Sequence, residues 1–396
     1  TTEYYFPVFA DASGSASGGG SFNFGQRPFA YTAPSGFKAL CDTNLPAPVV
    51  AKPSTAFDVK LYTGNGSTTG DTQTISGLGF SPDLVWIKAR SAARWHILCD
   101  TIRGVNKTLY SNSTYQEESL SNLFNAFNSD GFQVAYNSAY TDVFSNLNGQ
   151  TYAAWCWDAG SSTVTNTQGS ITSSVRANAT AGFSVLTATT PTSGSSFSVG
   201  HGLGVTPEFA IFKDRGAANN WGIYHKSITT TTGGELLFTT AAAQSYGWFP
   251  SAPTSTTFTL SVGGWGTGNS IVGYLWTPVV GYSSFGSYTG NGSADGPFVY
   301  TGFRPRWIMV KCSSTNNGYT FWDINDAARS DYNSLSRTLC ANLSDAEDSA
   351  NIGTPNIDIL SNGFKIRTTG SAKNLSSQTY IYAAFAENPF QYARAR

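Results

Sequence analysis

Side chains able to do chemistry are few in this sequence and poorly spaced for it. Two acidic pairs stand out, Glu117-Glu118 and Glu347-Asp348. Glycosidic hydrolysis needs two carboxyl groups about 5 to 10 Å apart with separated pKa values. Adjacent residues point to opposite faces of a strand and diverge in a helical turn, so these pairs read as solvated loop charges. Four residues beyond the aromatics Trp95, Trp221 and Tyr319 stand Cys99, His225 and Asp323. Three unlike chemistries at what reads as one structural position mark a variable edge residue. His96, His201 and His225 stand alone, and Cys41, Cys99, Cys156, Cys312 and Cys340 have no Cys-x-x-Cys spacing. Free, buried thiols and no metal site are expected. No Gly-x-Ser-x-Gly elbow occurs, and the glycine-rich runs 18–20 and 263–266 lack the lysine and helix of a phosphate loop. The chain reads as non-enzymatic, without a cofactor.

Binding suits these residues better. Trp and Tyr stack on sugar rings while Asn bonds to sugar hydroxyls, with no catalytic group required. Asn219-Asn220-Trp221, the stretch Tyr246-Gly247-Trp248-Phe249-Pro250, and Trp265 concentrate such groups. Asn220, Trp221, Tyr246, Trp248 and Trp265 form the expected receptor-facing set, Trp248 foremost because Gly and Pro around it mark a loop. The competing reading places these aromatics in a core or a subunit interface.

Composition narrows the class of protein. The 396 residues carry 23 basic and 24 acidic side chains, a net charge of −1. No basic patch offers the footprint of a nucleic-acid binder. Charged residues make up 12% of the chain, against about 25% in an average soluble domain, so hydroxyls and amides must supply the polar surface. Apolar runs such as Leu84-Val85-Trp86-Ile87 are far shorter than the roughly 20 residues that cross a bilayer, so membrane insertion is not expected. The first residues, Thr1-Thr2-Glu3-Tyr4-Tyr5-Phe6, lack the pattern of a secretory signal.

Internal repetition organises what remains. Leu61-Tyr62-Thr63-Gly64-Asn65-Gly66 matches Ser287-Tyr288-Thr289-Gly290-Asn291-Gly292. After each comes Gly-Φ-x-Pro and an apolar strand ending in lysine, at 79–88 and 302–311, with a third copy at 204–213. Lys107-Thr108-Leu109-Tyr110-Ser111-Asn112 matches Arg337-Thr338-Leu339-Cys340-Ala341-Asn342, and Asp130-Gly131-Phe132 matches Asn362-Gly363-Phe364. The copies close on Tyr152-Ala153-Ala154-Trp155, Val272-Gly273-Tyr274-Leu275-Trp276 and Tyr382-Ala383-Ala384-Phe385. Asn and Gly take positive φ cheaply in the turns, and Pro belongs where a strand begins. Near-continuous apolarity of the lysine-ended strands implies burial on both faces. Turn signals recur every 8 to 12 residues with no sustained helical period. The fold class is all-β, tandem antiparallel sandwiches of jelly-roll type, strung end to end into an elongated body. Only 114–127 and 344–350 could hold a helical turn. Repeats span 57–160, 172–285 and 286–396, the second being divergent, with 161–171 as a linker.

Residues 1–56 differ. Asn23-Phe24-Gly25-Gln26-Arg27-Pro28-Phe29, followed by Pro34-Ser35-Gly36-Phe37-Lys38-Ala39-Leu40, resembles the last strands of the SPRY-type β-sandwich of phage structural proteins. A sandwich needs more strands than this, so the others are expected upstream or from a neighbouring chain. The three repeats resemble modules that follow this SPRY end in tail-fibre-like proteins of marine and cyanobacterial phages. The resemblance implies a virion location on a tail or capsid appendage, a homotrimer, association with other virion proteins, and contact with a host surface glycan or receptor. A capsid-attached fibre or decoration protein is the alternative, and a glycan depolymerase a more distant one.

Overall fold

A computed structural model describes residues 31, 32, 35, 44, 47–228, 234–330, 332–347, 349 and 356–390. The chain divides into two units, 1–46 and 47–396. Of the SPRY-like end expected over 1–56, residues 1–30 and most of 31–46 lie outside the described residues, as does Cys41; residues 47–56 belong to the second unit, where Val50 and Ala56 enter its core.

The second unit is nearly all β, as expected, and its one α-helix among the described residues is the short Val262–Trp265. In the first module the main sheet runs Phe57–Thr63, Thr151–Trp157, Leu84–Ala89, Ile97–Asp100. The third repeats this order with Ser283–Thr289, Thr379–Pro389, Phe303–Cys312, Asp323–Asp326, and adds Leu339–Cys340. The second uses Phe183–Thr189, Ser270–Trp276, Phe209–Asp214, Gly222–His225 and Leu236–Leu237, widened by Ser173–Asn178 and Thr163–Asn166 beyond the opening strand. The segment expected to be a linker therefore contributes a paired strand. Residues 114–127 hold the strands Glu118–Ser119 and Phe124–Asn128, not a helical turn. A smaller sheet backs each main sheet, for example Thr72–Ile75, Gly131–Ala135 and Phe124–Asn128 in the first module and Phe298–Tyr300, Gly363–Ile366 and Ile357–Leu360 in the third.

The lysine-ended strands are two-faced in every copy. Val85 and Ile87 enter the core between the two sheets of the first module; Ala210 and Phe212, then Ile308 and Val310, do so in the others. The opposite faces, Leu84 and Trp86, Phe209 and Ile211, Trp307 and Met309, all enter one further core. That shared core joins Phe57, Trp155 and Trp157 to Phe183, Trp221 and Trp276 and to Phe285, Trp322 and Phe385. Trp157 lies 5.9 Å from Trp276 and 5.8 Å from Trp307, ring centre to ring centre. Modules strung end to end would keep the first from the third. Here each pair of modules shares core and contacts, so the expected elongated string is replaced by three sandwiches packed side by side.

Candidate binding sites at the module junctions and on the third module

Register sets which residues are equivalent. Asp100 pairs with Leu84, His225 with Phe209 and Asp326 with Trp307. Cys99 pairs with Val85 and Asp323 with Val310. Cys99, His225 and Asp323 therefore do not share a position, and the sequence-based grouping is corrected: His225 stands where the other modules place Asp100 and Asp326. Likewise Tyr152 corresponds to Tyr380, since each faces the residue after the repeat lysine, Ala89 or Cys312. The closing-strand match is thus two residues away from the one the letters suggest.

These equivalences reveal a closed ring. The Trp221 indole donates to the Tyr110 carbonyl at 2.8 Å, second module to first. The Trp322 indole donates to Leu237 at 2.7 Å, third to second. At the remaining junction His96 replaces the tryptophan: Nδ1 accepts from the Trp86 indole at 2.8 Å, so Nε2 carries the proton and donates to Cys340 at 2.9 Å. Burial then holds its pKa well below the ordinary histidine value.

A second ring lies beside it. Tyr274 of the second module donates to Asp100, and Trp155 of the first donates to Asp326, at 2.8 and 3.0 Å. The third module has Ala383 at that position, which cannot donate. There the polarity reverses: His225, occupying the aspartate position, bonds the Tyr382 carbonyl at 3.0 Å. A single loss of a donor is matched by a swap of acceptor for donor across the same junction.

One member of each acidic pair, Glu117 and Glu347, belongs to these junctions, which corrects their reading as solvated loop charges; Glu118 accepts from Tyr110 within the first module, and Asp348 lies outside the described residues. Glu117 accepts from Arg215 at 2.8 and 2.9 Å and from Arg103 at 3.2 Å. Glu347 accepts from Arg90 and from Arg329, each at 2.8 Å. Burial pushes both carboxyls up, but the paired guanidinium groups outweigh it and hold each below the usual range. Three repeat lysines are buried beside the same seams. Lys213 and Lys311 donate across them to Thr114 and Thr240, at 3.2 and 3.1 Å; Lys88 donates to the Ala89 carbonyl at 2.8 Å. Burial pulls Lys88 down to about 7 and Lys213 and Lys311 to about 8. The described cysteines, Cys99, Cys156, Cys312 and Cys340, are buried and free, as expected.

The expected receptor-facing set separates. Asn220 and Trp221 line a cavity of about 310 Å³ where the three modules meet. Residues 111–114 of the first module, Phe238 and Thr239 of the second, and Asn342 of the third complete it. Trp221 is nevertheless 2% exposed and its indole N–H is spent on Tyr110. Trp265 is fully buried in the second module's core, 5.3 Å from Trp248, which is half-buried against it. Tyr246, 39% exposed, keeps a face in solvent. The loop carrying Tyr246 and Trp248 is pinned by the buried Glu235 carboxylate, which accepts from the backbone N–H groups of Tyr246, Gly247 and Phe249. Trp221 and Trp265 are thus core residues, and of the expected aromatics Tyr246 stays the most open.

Open aromatics occur on every module, Tyr115 on the first among them, but two of them share one strand of the third. Phe298 and Tyr300, alternate residues of one strand, are 47% and 57% exposed, while Val299 between them is buried. Phe298 faces Lys365, as Thr74 faces Gln133 in the first module. By that register Thr74 and Ser76 take the places of Phe298 and Tyr300. The duplicated fold forms with small hydroxyl residues there, so folding does not require the aromatics. Ion pairs of Asp295 with Lys365 and of Asp358 with Arg367, at 2.6 and 2.9 Å, stand beside this face.

Fold and junctions together define a class: all-β proteins in which three antiparallel sandwich modules of one chain close a ring about a common core. The chain belongs to the family described as Domain of unknown function (DUF7483), whose model matches residues 52–389. That match runs through all three modules without a break, the same stretch that shares one core. No curated protein and no solved structure matches the chain.

Proposed function

We propose that this chain is a non-enzymatic virion protein, part of a tail-fibre-like appendage that contacts a glycan or receptor on the host surface. The observation that carries the contact is the exposed pair Phe298 and Tyr300, present where the fold manages with Thr74 and Ser76. Open aromatic rings beside ionic hydrogen-bonding groups suit the apolar face and hydroxyl rim of a pyranose. The virion setting rests on the resemblance of the repeats and of residues 23–40 to phage modules, and so do a homotrimer and virion partners. Glu117 and Glu347, each tied to two guanidinium groups, favour a junction role over acid catalysis.

The test is binding of the labelled chain to intact cells and to extracted surface polysaccharide, while release of reducing sugar is followed. We expect saturable binding, reduced about tenfold or more by Phe298→Ser with Tyr300→Ser, without sugar release. Stacking contacts of roughly 1 kcal/mol each set that scale. Binding indifferent to the double substitution would remove the aromatic face from the reading, and sugar release would replace the binding protein by a depolymerase.

A further inference from the structure

We propose that the cavity at the meeting of the three modules binds a neutral, polyhydroxylated ligand of one ring, the chemical class of a single hexose unit. The inference stands apart from the host-contact reading, which rests on Phe298 and Tyr300.

Size and chemistry of the walls carry it. The volume of about 310 Å³ falls at the small end of ligand pockets, which begin near 300 Å³, room for one ring. Every lining side chain is uncharged: Ser, Thr and Asn supply the polar part, Trp221 and Phe238 the apolar part. A charged ligand would surrender hydration there without meeting a counter-charge. A polyol exchanges water for hydroxyls and amides, while its C–H groups meet the narrow apolar margin that the largely buried Trp221 and Phe238 leave at the cavity wall.

The amides are prepared for this. Oδ1 of Asn112 accepts the His96 backbone N–H at 2.8 Å, and Oδ1 of Asn342 accepts that of Trp322 at 2.9 Å. Both amide groups are thereby oriented, and each keeps its NH2 end for a sugar oxygen. The Asn220 side chain has no hydrogen-bond partner among the described residues, although it lines the cavity. The ring of indole and imidazole bonds makes Tyr110, Leu237 and Cys340 equivalent, so Asn112, Thr239 and Asn342, two residues on in each, are one position presented three times. No single module builds the site.

The experiment titrates the full chain with glucose, galactose, N-acetylglucosamine and glycerol, followed by tryptophan fluorescence and by saturation-transfer NMR. Glucuronate and glucosamine are the charged controls. Neutral sugars are expected to saturate in the millimolar range, more tightly than either charged sugar. Asn220→Ala, which breaks no bond within the protein, should weaken binding about five- to tenfold, the worth of one hydrogen bond. Phe298→Ser should leave it unchanged. Absence of neutral-sugar binding, indifference to Asn220→Ala, or equal affinity for charged sugars would overturn the proposal. Binding lost only with Phe298→Ser would also overturn it, moving the sugar to the aromatic face. Conversely, failure of cell binding with intact, Asn220-dependent sugar binding would sink the host-contact reading and leave this one standing.

Discussion

At the scale of single residues, charge placement is what the sequence hides best. Glu117 and Glu347 look like surface acids because their arginine partners, Arg215 and Arg90, are distant in sequence. The repeat lysines look like strand ends because the carbonyls that receive Lys213 and Lys311 belong to another module. Their consequence is measurable. Lys88, Lys213 and Lys311 have folded values near 7 and 8, against about 10.4 in an unfolded chain. Between those values the unfolded chain holds more protons, so the stability these amines contribute is full above the unfolded value and falls as pH drops toward the folded one. Stability should therefore rise from pH 7.5 to 9.5, by up to about 1.4 kcal/mol per pH unit per amine. Lys88→Met should flatten that rise without loss of stability at pH 7, because it removes a buried cation held by one backbone bond. Urea midpoints across the range decide it; an unchanged slope in the variant would mean Lys88 is charged and solvated in the folded state.

Elements were more legible than residues. Three copies, two-faced lysine strands and free thiols all follow from the letters, because period and hydrophobicity are local signals. Register does not follow: the letters align Tyr152 with Tyr382, whereas strand pairing aligns it with Tyr380. In the Tyr-Thr-Gly-Asn-Gly turn, close approach of the backbone adds to the positive-φ freedom that its Asn and Gly suggest. A Cβ on Gly64 or Gly290 would stand 2.3 Å from the carbonyl of Leu147 or Leu375, so close approach demands glycine there. Buried Asn146 and Asn374, which cap Asn65 and Asn291 through their side chains, complete the turn and leave no local signal in the sequence because each lies some eighty residues away. Gly290→Ala should accordingly cost about 2 kcal/mol or more in the urea midpoint; a neutral result would show that the turn yields. The seams offer a second check. Because Glu117 and Glu347 are held below the usual carboxylate range, their stabilising effect is present above about pH 4.3, the unfolded value, and is lost as pH falls beneath it. Glu117→Gln with Glu347→Gln should lower stability by several kcal/mol at pH 6, about 3 for each buried pair broken. The difference from the parent should shrink by pH 3, and a gap of constant size would detach the acid sensitivity from these two groups.

At the scale of the molecule, the repeats invite the picture of independent beads, and the shared core contradicts it. Leu84, Phe209 and Trp307 hold one register position in equivalent strands and meet in one apolar cluster, so a module removed from its neighbours would expose an entire sheet face. Sequence periodicity finds each copy but says nothing about what covers its second face, since burial by a neighbour and burial by a repeat leave the same pattern of letters. The thermodynamic consequence is specific. If the modules were beads, heating would give up to three transitions and a substitution in one would move only its own. With a common core, loss of any one module removes the wall of the other two, so residues 47–390 should unfold in one transition with calorimetric and van't Hoff enthalpies that agree. Trp157 is the place to perturb it, because its ring touches Phe57, Phe183, Trp276, Trp307 and Phe385 from all three modules. Trp157→Leu should shift that whole transition downward, by the equivalent of about 2 to 4 kcal/mol, and leave it single. A transition that splits, with part of the heat absorbed at the parent temperature, would show that one sandwich stands without the ring, and the closed arrangement would then be an assembly of separable domains instead of one fold.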